Sequence, residues 1–207
     1  MEIFLKSAGK KYYREWIFRK VDLTFTTGQN TVILGPNGSG KSTLLQVIAG
    51  AVLLNEGSIT YHDGNKEVSD DNIFNHVSFA SHFLELIEEF TLEEIIQFHF
   101  KFKKPIRKIS ESEVLEITGL QKKSKQVFKY FSSGMKQRVK LTLAFLSDTE
   151  VLLLDEPCSN LDNIGIDWYQ QMIKSYTSDR IIIVASNQNE VEYSFCNLKL
   201  NMIDFKA

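Results

Sequence analysis

The sequence predicts an α/β fold with a mostly parallel sheet, and three short apolar segments are the main reason. Residues 31–34, 151–154 and 181–185 are continuous and apolar and include β-branched side chains. Such segments are typical of parallel strands that are covered on both faces. Helical patterns separate these segments along the chain, and strands that alternate with helices favour an α/β architecture.

Three other segments within the first 64 residues carry a different strand pattern. Apolar and polar residues alternate at positions 3–5 and again at positions 21–25, so we expect two strands that each have one solvated face. Residues 58–61 are a third strand candidate, which the turn sequence at 62–64 would close. Together these segments predict an N-terminal antiparallel β subdomain.

Apolar residues at helical spacing predict helices between these strands. Residues 83–146 contain no convincing parallel strand, so we expect a mostly helical insertion there. The predicted organisation is therefore one domain, residues 1–207, with an α/β core at 1–82 and 147–207 and a helical subdomain at 83–146. The predicted helices are 42–49, 91–102, 111–118, 133–146 and 164–176.

Composition narrows the class of protein. A length of 207 residues suits one domain. The formal net charge of -2 gives no basic field that would attract nucleic acid, so no nucleic-acid partner is expected. Cys158 and Cys196 are the two cysteines, and two cysteines without zinc-ligand spacing indicate free thiols in a reducing cytosol.

The sequence also bears on localisation. A membrane span needs about 20 apolar residues, and the longest apolar runs lie at 151–154 and 181–185. The first residues lack the basic leader and apolar stretch of a secretory signal. We therefore expect a cytoplasmic chain, and if it drives transport another chain must supply the pore.

A glycine-rich loop follows the first apolar strand and matches G-x-x-x-x-G-K-[ST]. Its backbone N–H groups can converge on phosphate oxygens, and the helix that follows directs its positive end at the same anion. Lys41 can reach the β- and γ-phosphates, and Ser42 can ligate Mg²⁺. A turn that binds nothing is the alternative, which the strand, lysine and helix around the loop disfavour. The predicted nucleotide-binding residues are Gly35, Pro36, Asn37, Gly38, Ser39, Gly40, Lys41, Ser42 and Thr43.

The second apolar strand ends in two acids, Asp155 and Glu156. Ligand groups in open parallel sheets lie at the carboxyl ends of the strands. Asp155 would hold Mg²⁺ there through water, and Glu156 would orient the attacking water as general base. An ordinary strand that ends in a solvated acidic turn is the alternative.

Three further segments identify a family. The sequence Phe-Ser-Ser-Gly-Met-Lys-Gln-Arg at residues 131–138 resembles the signature of ATP-binding cassette (ABC) proteins, usually written L-S-G-G-Q. Residues 159–162 are similar to the D-loop of that family, and Tyr12 stands where the family places an aromatic that stacks on adenine. The resemblance extends over about residues 3–203 and implies a RecA-like P-loop NTPase core that hydrolyses ATP with Mg²⁺.

The signature has a physical basis. Ser132 is a good N-cap, and the helix after it presents free N–H groups to an anion. In the family this helix end faces the γ-phosphate that the partner subunit holds, which implies an ATP-dependent head-to-tail dimer of identical or different chains. Ser132, Ser133 and Gly134 are therefore predicted to contact nucleotide. A capped helix start without a ligand is the alternative.

Two positions depart from the family pattern. The position of the usual glutamine falls on His82, which is a candidate Mg²⁺ ligand but can also carry a proton as an ordinary surface histidine. The usual switch histidine is replaced by Asn187. Asn187 can donate a hydrogen bond to the γ-phosphate but cannot become a cation, so its stabilisation of the transition state should be weaker.

The resemblance implies the ATP-hydrolysing subunit of an ABC transporter, peripheral on the cytoplasmic face and bound to a separate transmembrane permease subunit. By analogy with the family, the membrane subunit would dock near Phe83, Leu84, Leu86 and Ile87, with core packing as the alternative. A small exporter similar to the cytochrome c maturation (haem exporter) ATPase is one hypothesis for the cargo.

Two other functions stay open. The first is an ATP-gated dimerisation switch, or the degenerate half of a heterodimer, with little hydrolysis; Asn187 and His82 motivate it. The second is a soluble ABC ATPase that works on ribosomes or DNA. Such proteins usually carry two cassettes or long coiled coils, and this sequence has neither.

Overall fold

A computed structural model of the chain describes residues 1–81 and 83–206. His82, the candidate metal ligand, lies outside the described residues. The elements alternate between strand and helix as the sequence predicts, and the fold class is confirmed as α/β. The strands are β1 (Glu2–Tyr12), β2 (Glu15–Thr26), β3 (Asn30–Leu34), β4 (Glu56–Asp63), β5 (Lys66–Glu67), β6 (Val77–Ser81), β7 (Val151–Asp155), β8 (Ile181–Ser186) and β9 (Leu198–Asn201). The helices are α1 (Lys41–Ile48), α2 (Ile73–His76), α3 (Leu92–Phe102), α4 (Glu111–Thr118), α5 (Ser133–Leu146), α6 (Asn163–Tyr176) and α7 (Glu190–Tyr193).

Contacts between residues divide the chain into two compact units. Unit 1 comprises Met1–Phe79, Glu150–Glu156 and Asp179–Ala207, and unit 2 comprises Ala80–Thr149 and Pro157–Ser178. The predicted core and helical subdomain differ from these units chiefly at residues 157–178, which the contacts group with unit 2. The predicted functional subdomains remain a prediction.

Unit 1 contains an antiparallel sheet with the strand order β2-β1-β4-β5 among the described residues. β1 pairs with β2 on one side and with β4 on the other. Ile3 and Leu5 of β1 and Phe25 of β2 are buried, whereas Lys6 is exposed. The sheet therefore has one apolar face, as the alternation in the sequence predicts.

The second sheet has the order β6-β7-β8-β3-β9 within the described residues, and β7, β8, β3 and β9 run parallel. Every residue of β7 and β8 is buried, as strands covered on both faces require. In unit 1 the apolar core joins this sheet to α1 and to the antiparallel sheet; Leu45, Leu153 and Tyr61 are among its members. All three predicted apolar strands are confirmed within one residue at each end.

Unit 2 is mainly helical, and side chains at the helix ends explain where its helices begin. Thr91 and Ser110 accept hydrogen bonds from the backbone of Glu94 and Glu113, and each glutamate accepts a bond from the N–H of its capping residue. Such a reciprocal cap is worth about 1 kcal/mol. α4 ends at Gly119, whose φ of 68° is left-handed.

Several short elements of unit 1 were not among the predicted segments. β5 has two residues, and α2, α7 and β9 have four residues each. β9 is an edge strand beside β3 in which half-buried Leu198 and Leu200 alternate with exposed residues. Elements this short bury too few apolar side chains to leave a periodic signal in the sequence.

Candidate functional site

The carboxyl ends of three neighbouring strands bring the predicted catalytic residues of unit 1 to one edge of the parallel sheet. Leu34 of β3 pairs with Ser186 of β8, and Asp155 of β7 pairs with Ala185 of β8. The residues that follow these strands are Gly35, Glu156 and Asn187. Adjacent strands lie about 4.8 Å apart, so these three residues leave the sheet side by side.

The glycine-rich loop takes a backbone shape that larger residues would disturb. Gly40 precedes α1 with a φ of 103° and a ψ of 7°, which is a left-handed conformation. A Cβ at Gly40 would lie 2.4 Å from Cγ2 of Ile17, and one at Gly35 would lie 2.6 Å from Oγ of Ser39. Glycine at both positions therefore keeps the loop tight and its N–H groups accessible.

Lys41 is held inside this loop. Its ammonium donates to the carbonyl of Gly35 at 2.8 Å and to the carbonyl of Pro36 at 3.2 Å. Only 4% of the residue is exposed, and Nζ lies 3.9 Å from Oε1 of Glu156. A buried cation that already spans the loop is ready to bind phosphate oxygens.

Ser39 adds a second feature that suits a polar ligand. Ser39 is 1% exposed, and its Oγ has no hydrogen-bond partner among the described residues. Buried hydroxyls without a partner are rare because their desolvation costs free energy. Pro36, Asn37 and Gly38 are exposed beside it, so an oxygen-rich ligand could enter the loop from solvent.

The acidic pair differs in environment. Asp155 is fully buried at the end of β7. Glu156 has a left-handed φ of 45°, and its N–H donates to the carbonyl of Ala185 at 2.9 Å. The left-handed backbone costs about 1–2 kcal/mol for a residue with a side chain, and it turns the Glu156 carboxylate, which is 26% exposed, away from the strand direction and towards Lys41.

The oxygen donors at this edge suit a hard divalent cation bound together with phosphate. Asp155 supplies a carboxylate and Ser42, half-buried in the first turn of α1, supplies a hydroxyl. Mg²⁺ is usually held by one or two carboxylates with water and substrate phosphates, rather than by a full set of protein ligands. The described residues contain no group of three or more His, Cys, Asp or Glu side chains that could hold a metal ion.

Two predicted residues lie at the margin of this edge. Asn187 is exposed immediately after β8. Tyr12 ends β1, is 44% exposed, and has the Lys10 ammonium 5.0 Å from its ring centroid. Ile17, whose side chain would meet a Cβ at Gly40, lies opposite Lys10 and Lys11 of β1. Tyr12 is therefore one to two residues, or roughly 3–7 Å, farther along β1.

The predicted signature residues belong to unit 2. Ser132 caps α5 by accepting from the N–H of Met135 at 3.3 Å, and Ser132 and Ser133 are exposed. A cleft of about 260 Å³ lies at this helix start, between α5 and residues 160–162. A Cβ at Gly134 would lie 2.6 Å from the carbonyl oxygen of Asn160, so only glycine lets this segment approach the helix.

Unit 2 also contains an apolar groove of about 270 Å³. Phe98 makes edge-to-face contacts with Phe90 and Phe102 at centroid distances of 5.7 and 5.1 Å. Phe102 is 65% exposed and Ile87 is 39% exposed. Of the four residues predicted for a docking groove, Leu86 and Ile87 line it. The apolar lining is Leu86, Ile87, Phe90, Ile95, Phe98 and Phe102.

One residue near the site could not be predicted from the sequence. Glu192 of α7 is 3% exposed and accepts a hydrogen bond from the Ser186 hydroxyl at 2.5 Å. A glutamate in a polar segment gives no sign of burial, so the sequence carried no signal for it. Only the tertiary structure turns this carboxylate towards the end of β8.

The chain is similar to known proteins of one family. A family model described as ABC transporter matches residues 18–159. The chain is 30% identical to the lantibiotic transport ATP-binding protein SrtF of Streptococcus pyogenes over 91% of this chain and 82% of that protein. It is also 30% identical to the cytochrome c biogenesis ATP-binding export protein CcmA of Chelativorans sp. (strain BNC1), over 83% of this chain and 84% of that protein. A solved structure titled as a dimeric bacterial ABC transporter cassette has the same fold, with a TM-score of 0.81, 24% identity, and coverage of 97% of this chain and 94% of that one.

Proposed function

The chain belongs to the ABC transporter family and is one of its ATP-binding, ATP-hydrolysing subunits, and from this we propose that the edge formed by residues 35–43, Asp155 and Glu156 is its catalytic site. One observation carries the proposal. The buried Lys41 ammonium and the Glu156 carboxylate lie 3.9 Å apart where three parallel strands end. A phosphate-binding cation and a candidate general base are thereby held at one place.

Binding of ATP uses groups that the fold already orients. The N–H groups after Gly35 and at the start of α1 surround the phosphates, and the α1 dipole favours the negative charge. Lys41 exchanges its bonds to loop carbonyls for bonds to the β- and γ-phosphates. The Tyr12 ring, 44% exposed, stacks on the adenine.

Asp155 and Ser42 would hold Mg²⁺, Asp155 through water. The ion would neutralise charge that develops on the phosphate oxygens when it is bound. The fully buried Asp155 carboxylate and the Ser42 hydroxyl are the supporting observations.

Hydrolysis converts ATP and water to ADP and inorganic phosphate. Glu156 accepts a proton from the water whose oxygen attacks the γ-phosphorus, and the bond from that phosphorus to the β-phosphate oxygen breaks. Lys41 compensates the charge on the β–γ bridge. Asn187, beside Glu156 at the strand ends, donates a hydrogen bond to the γ-phosphate.

A head-to-tail dimer would complete the site. The start of α5 presents free N–H groups, with Ser132, Ser133 and Gly134 around them, to the γ-phosphate held by the other subunit. The cleft at this helix start and the dimeric relative of the same fold support the arrangement. If both subunits are copies of this chain, the interface is isologous.

A separate transmembrane permease is the proposed membrane partner. No helix among the described residues is long and apolar enough to cross a bilayer. The groove lined by Ile87, Phe98 and Phe102 offers an apolar surface for a short helix of such a partner. The chain would then be peripheral on the cytoplasmic face. One relative is named for export and another for import.

Steady-state ATP turnover, measured over a series of protein concentrations, tests the proposal. We expect turnover that rises more than linearly with protein and is lost in Glu156→Gln. Absence of turnover even with the co-purified membrane partner would favour an ATP-gated dimerisation switch, the second candidate function, which Asn187 motivates. Recovery of the chain with ribosomes or DNA instead of membranes would favour a soluble ABC ATPase.

A further inference from the structure

We propose that Glu192 is a positioning residue for hydrolysis: its carboxylate anchors the Ser186 hydroxyl and, through it, the loop that presents Asn187. The inference rests on the proposed function, because it assigns Asn187 a contact with the γ-phosphate. It adds a residue outside every motif in the sequence, on the short helix α7.

The first step is the burial of the pair. Glu192 is 3% exposed and Ser186 is 0% exposed, and the hydroxyl donates to Oε2 of Glu192 at 2.5 Å. Burying a carboxylate is costly unless it is well hydrogen-bonded. A hydrogen bond between two buried groups is costly to leave unmade, so this contact restrains Ser186.

The second step is a bond that closes the loop. The same Ser186 hydroxyl accepts from the N–H of Asn189 at 3.3 Å. Ser186 and Asn189 therefore anchor both sides of a two-residue segment, Asn187 and Gln188. Gln188 has a left-handed φ of 65°, so this tight turn depends on contacts that hold it in place.

The third step is location. Ser186 pairs with Leu34, the residue before the phosphate-binding loop, and the N–H of Glu156 bonds to the carbonyl of Ala185. The restraint therefore acts at the strand between the phosphate loop and the proposed general base. A displacement of about 1 Å at a reacting centre can cost as much as 100-fold in rate. A loop fixed by a buried carboxylate is suited to prevent such displacement.

A structural role alone would produce a different pattern of effects from a positioning role. Loss of a buried hydrogen bond lowers the stability of the fold wherever the bond lies. Loss of positioning lowers kcat while leaving the affinity for ATP nearly intact, because Lys41 and the loop amides do not change. Loss of positioning also lowers kcat only in a chain that still carries Asn187.

The experiment measures kcat and KM for ATP with the full chain, or with its co-purified complex, for Ser186→Ala, Ser186→Thr, Glu192→Gln and Asn187→Ala. We expect Ser186→Ala to lower kcat by about fivefold, a barrier increase of about 1 kcal/mol, with KM changed less than about twofold. Ser186→Thr keeps the hydroxyl and Glu192→Gln keeps an acceptor oxygen, so both should retain more activity. Tyr61→Phe is the matched control, because it removes a buried 2.8 Å bond to the Ile48 carbonyl and should lower stability without lowering kcat.

Epistasis with Asn187 decides the outcome. In an Asn187→Ala background, Ser186→Ala should cause no further loss of kcat. The inference is overturned if Ser186→Ala leaves kcat unchanged while Asn187→Ala lowers kcat. It is also overturned if Ser186→Ala lowers kcat by the same factor with and without Asn187→Ala. In either case the proposed catalytic site would remain, without a positioning role for Glu192. If Asn187→Ala leaves kcat unchanged, the role of Asn187 in the proposed function fails and this inference fails with it. Circular dichroism and thermal unfolding show whether each variant is folded under the conditions of the kinetic assay.

Discussion

The ammonium of Lys41 lies 3.9 Å from the carboxylate of Glu156, although the two residues are 115 positions apart in the sequence (156 minus 41). Lys41 lies in the glycine-rich loop, and Glu156 follows the end of β7. Because Lys41 is buried and Glu156 is partly exposed, we expect ATP to enter from the Glu156 side and to displace this contact. The ion pair thus marks the place where the γ-phosphate is expected.

Glu156→Gln should reduce turnover by about 100-fold or more, the usual contribution of a general base. ATP binding should persist or tighten, because the change removes a negative charge beside the phosphates. Phosphate release and nucleotide binding measured on the same preparation separate the two effects. Turnover within a few-fold of the parent chain would show that another group activates the water.

Gly134→Ala should abolish ATP-dependent dimerisation while leaving nucleotide binding to the monomer intact. The added Cβ would lie 2.6 Å from the backbone carbonyl of Asn160, so the start of α5 must shift. Size-exclusion chromatography in the presence of ATP measures the fraction of dimer, with every variant placed in the Glu156→Gln background. Glu116→Ala, on an exposed residue of α4 in the same unit and outside the signature, is the control and should leave dimerisation unchanged. Dimerisation of Gly134→Ala equal to that of the parent would argue against this surface.

Asn187→His should keep or raise turnover, because histidine can supply the cationic donor that asparagine lacks. The side chain is exposed, so the larger ring has room. Steady-state kinetics at saturating ATP provide the measurement. A loss of more than about tenfold, or roughly 1.4 kcal/mol in barrier, would show that Asn187 is adapted to its own site.

Phe102→Glu should weaken association with membranes that contain the partner, because it places a charge on the rim of the apolar groove. Phe102 is 65% exposed, so folding should change little. Leu53→Glu introduces the same charge at a residue of unit 1 that is 82% exposed and outside the groove. Co-sedimentation with partner-containing vesicles measures the effect. Equal retention of both variants would remove the groove as the docking surface.

The stability of unit 2 should fall as the pH decreases from about 6.5 towards 4. Burial, assisted by the nearby Lys103 ammonium, lowers the pKa of His99 to about 4, below its ordinary 6.5. Between these values the unfolded chain binds a proton that the folded chain does not, so protonation favours unfolding. Urea denaturation as a function of pH measures the slope, and His99→Gln should reduce it. An unchanged slope in that variant would assign the pH dependence to other groups.

The sequence by itself determined the parts of this protein that follow from local pattern. Continuous apolar segments specify strands buried on both faces, and capping residues such as Ser110 and Ser132 specify where helices begin. The glycine-lysine loop likewise carries its pattern in consecutive residues, and from this pattern alone residues 35–43 are predicted to bind phosphate.

Only the tertiary structure decided what depends on residues far apart in the chain. The pairing of β3, β7 and β8 brings Lys41, Glu156 and Asn187 to one edge, and no local pattern encodes those distances. Glu192 illustrates the limit best: in the sequence it is an acid in a polar segment, and in the fold it is a buried carboxylate bonded to Ser186. Burial is a property of packing, because the free energy of a side chain depends on neighbours that the chain supplies from elsewhere.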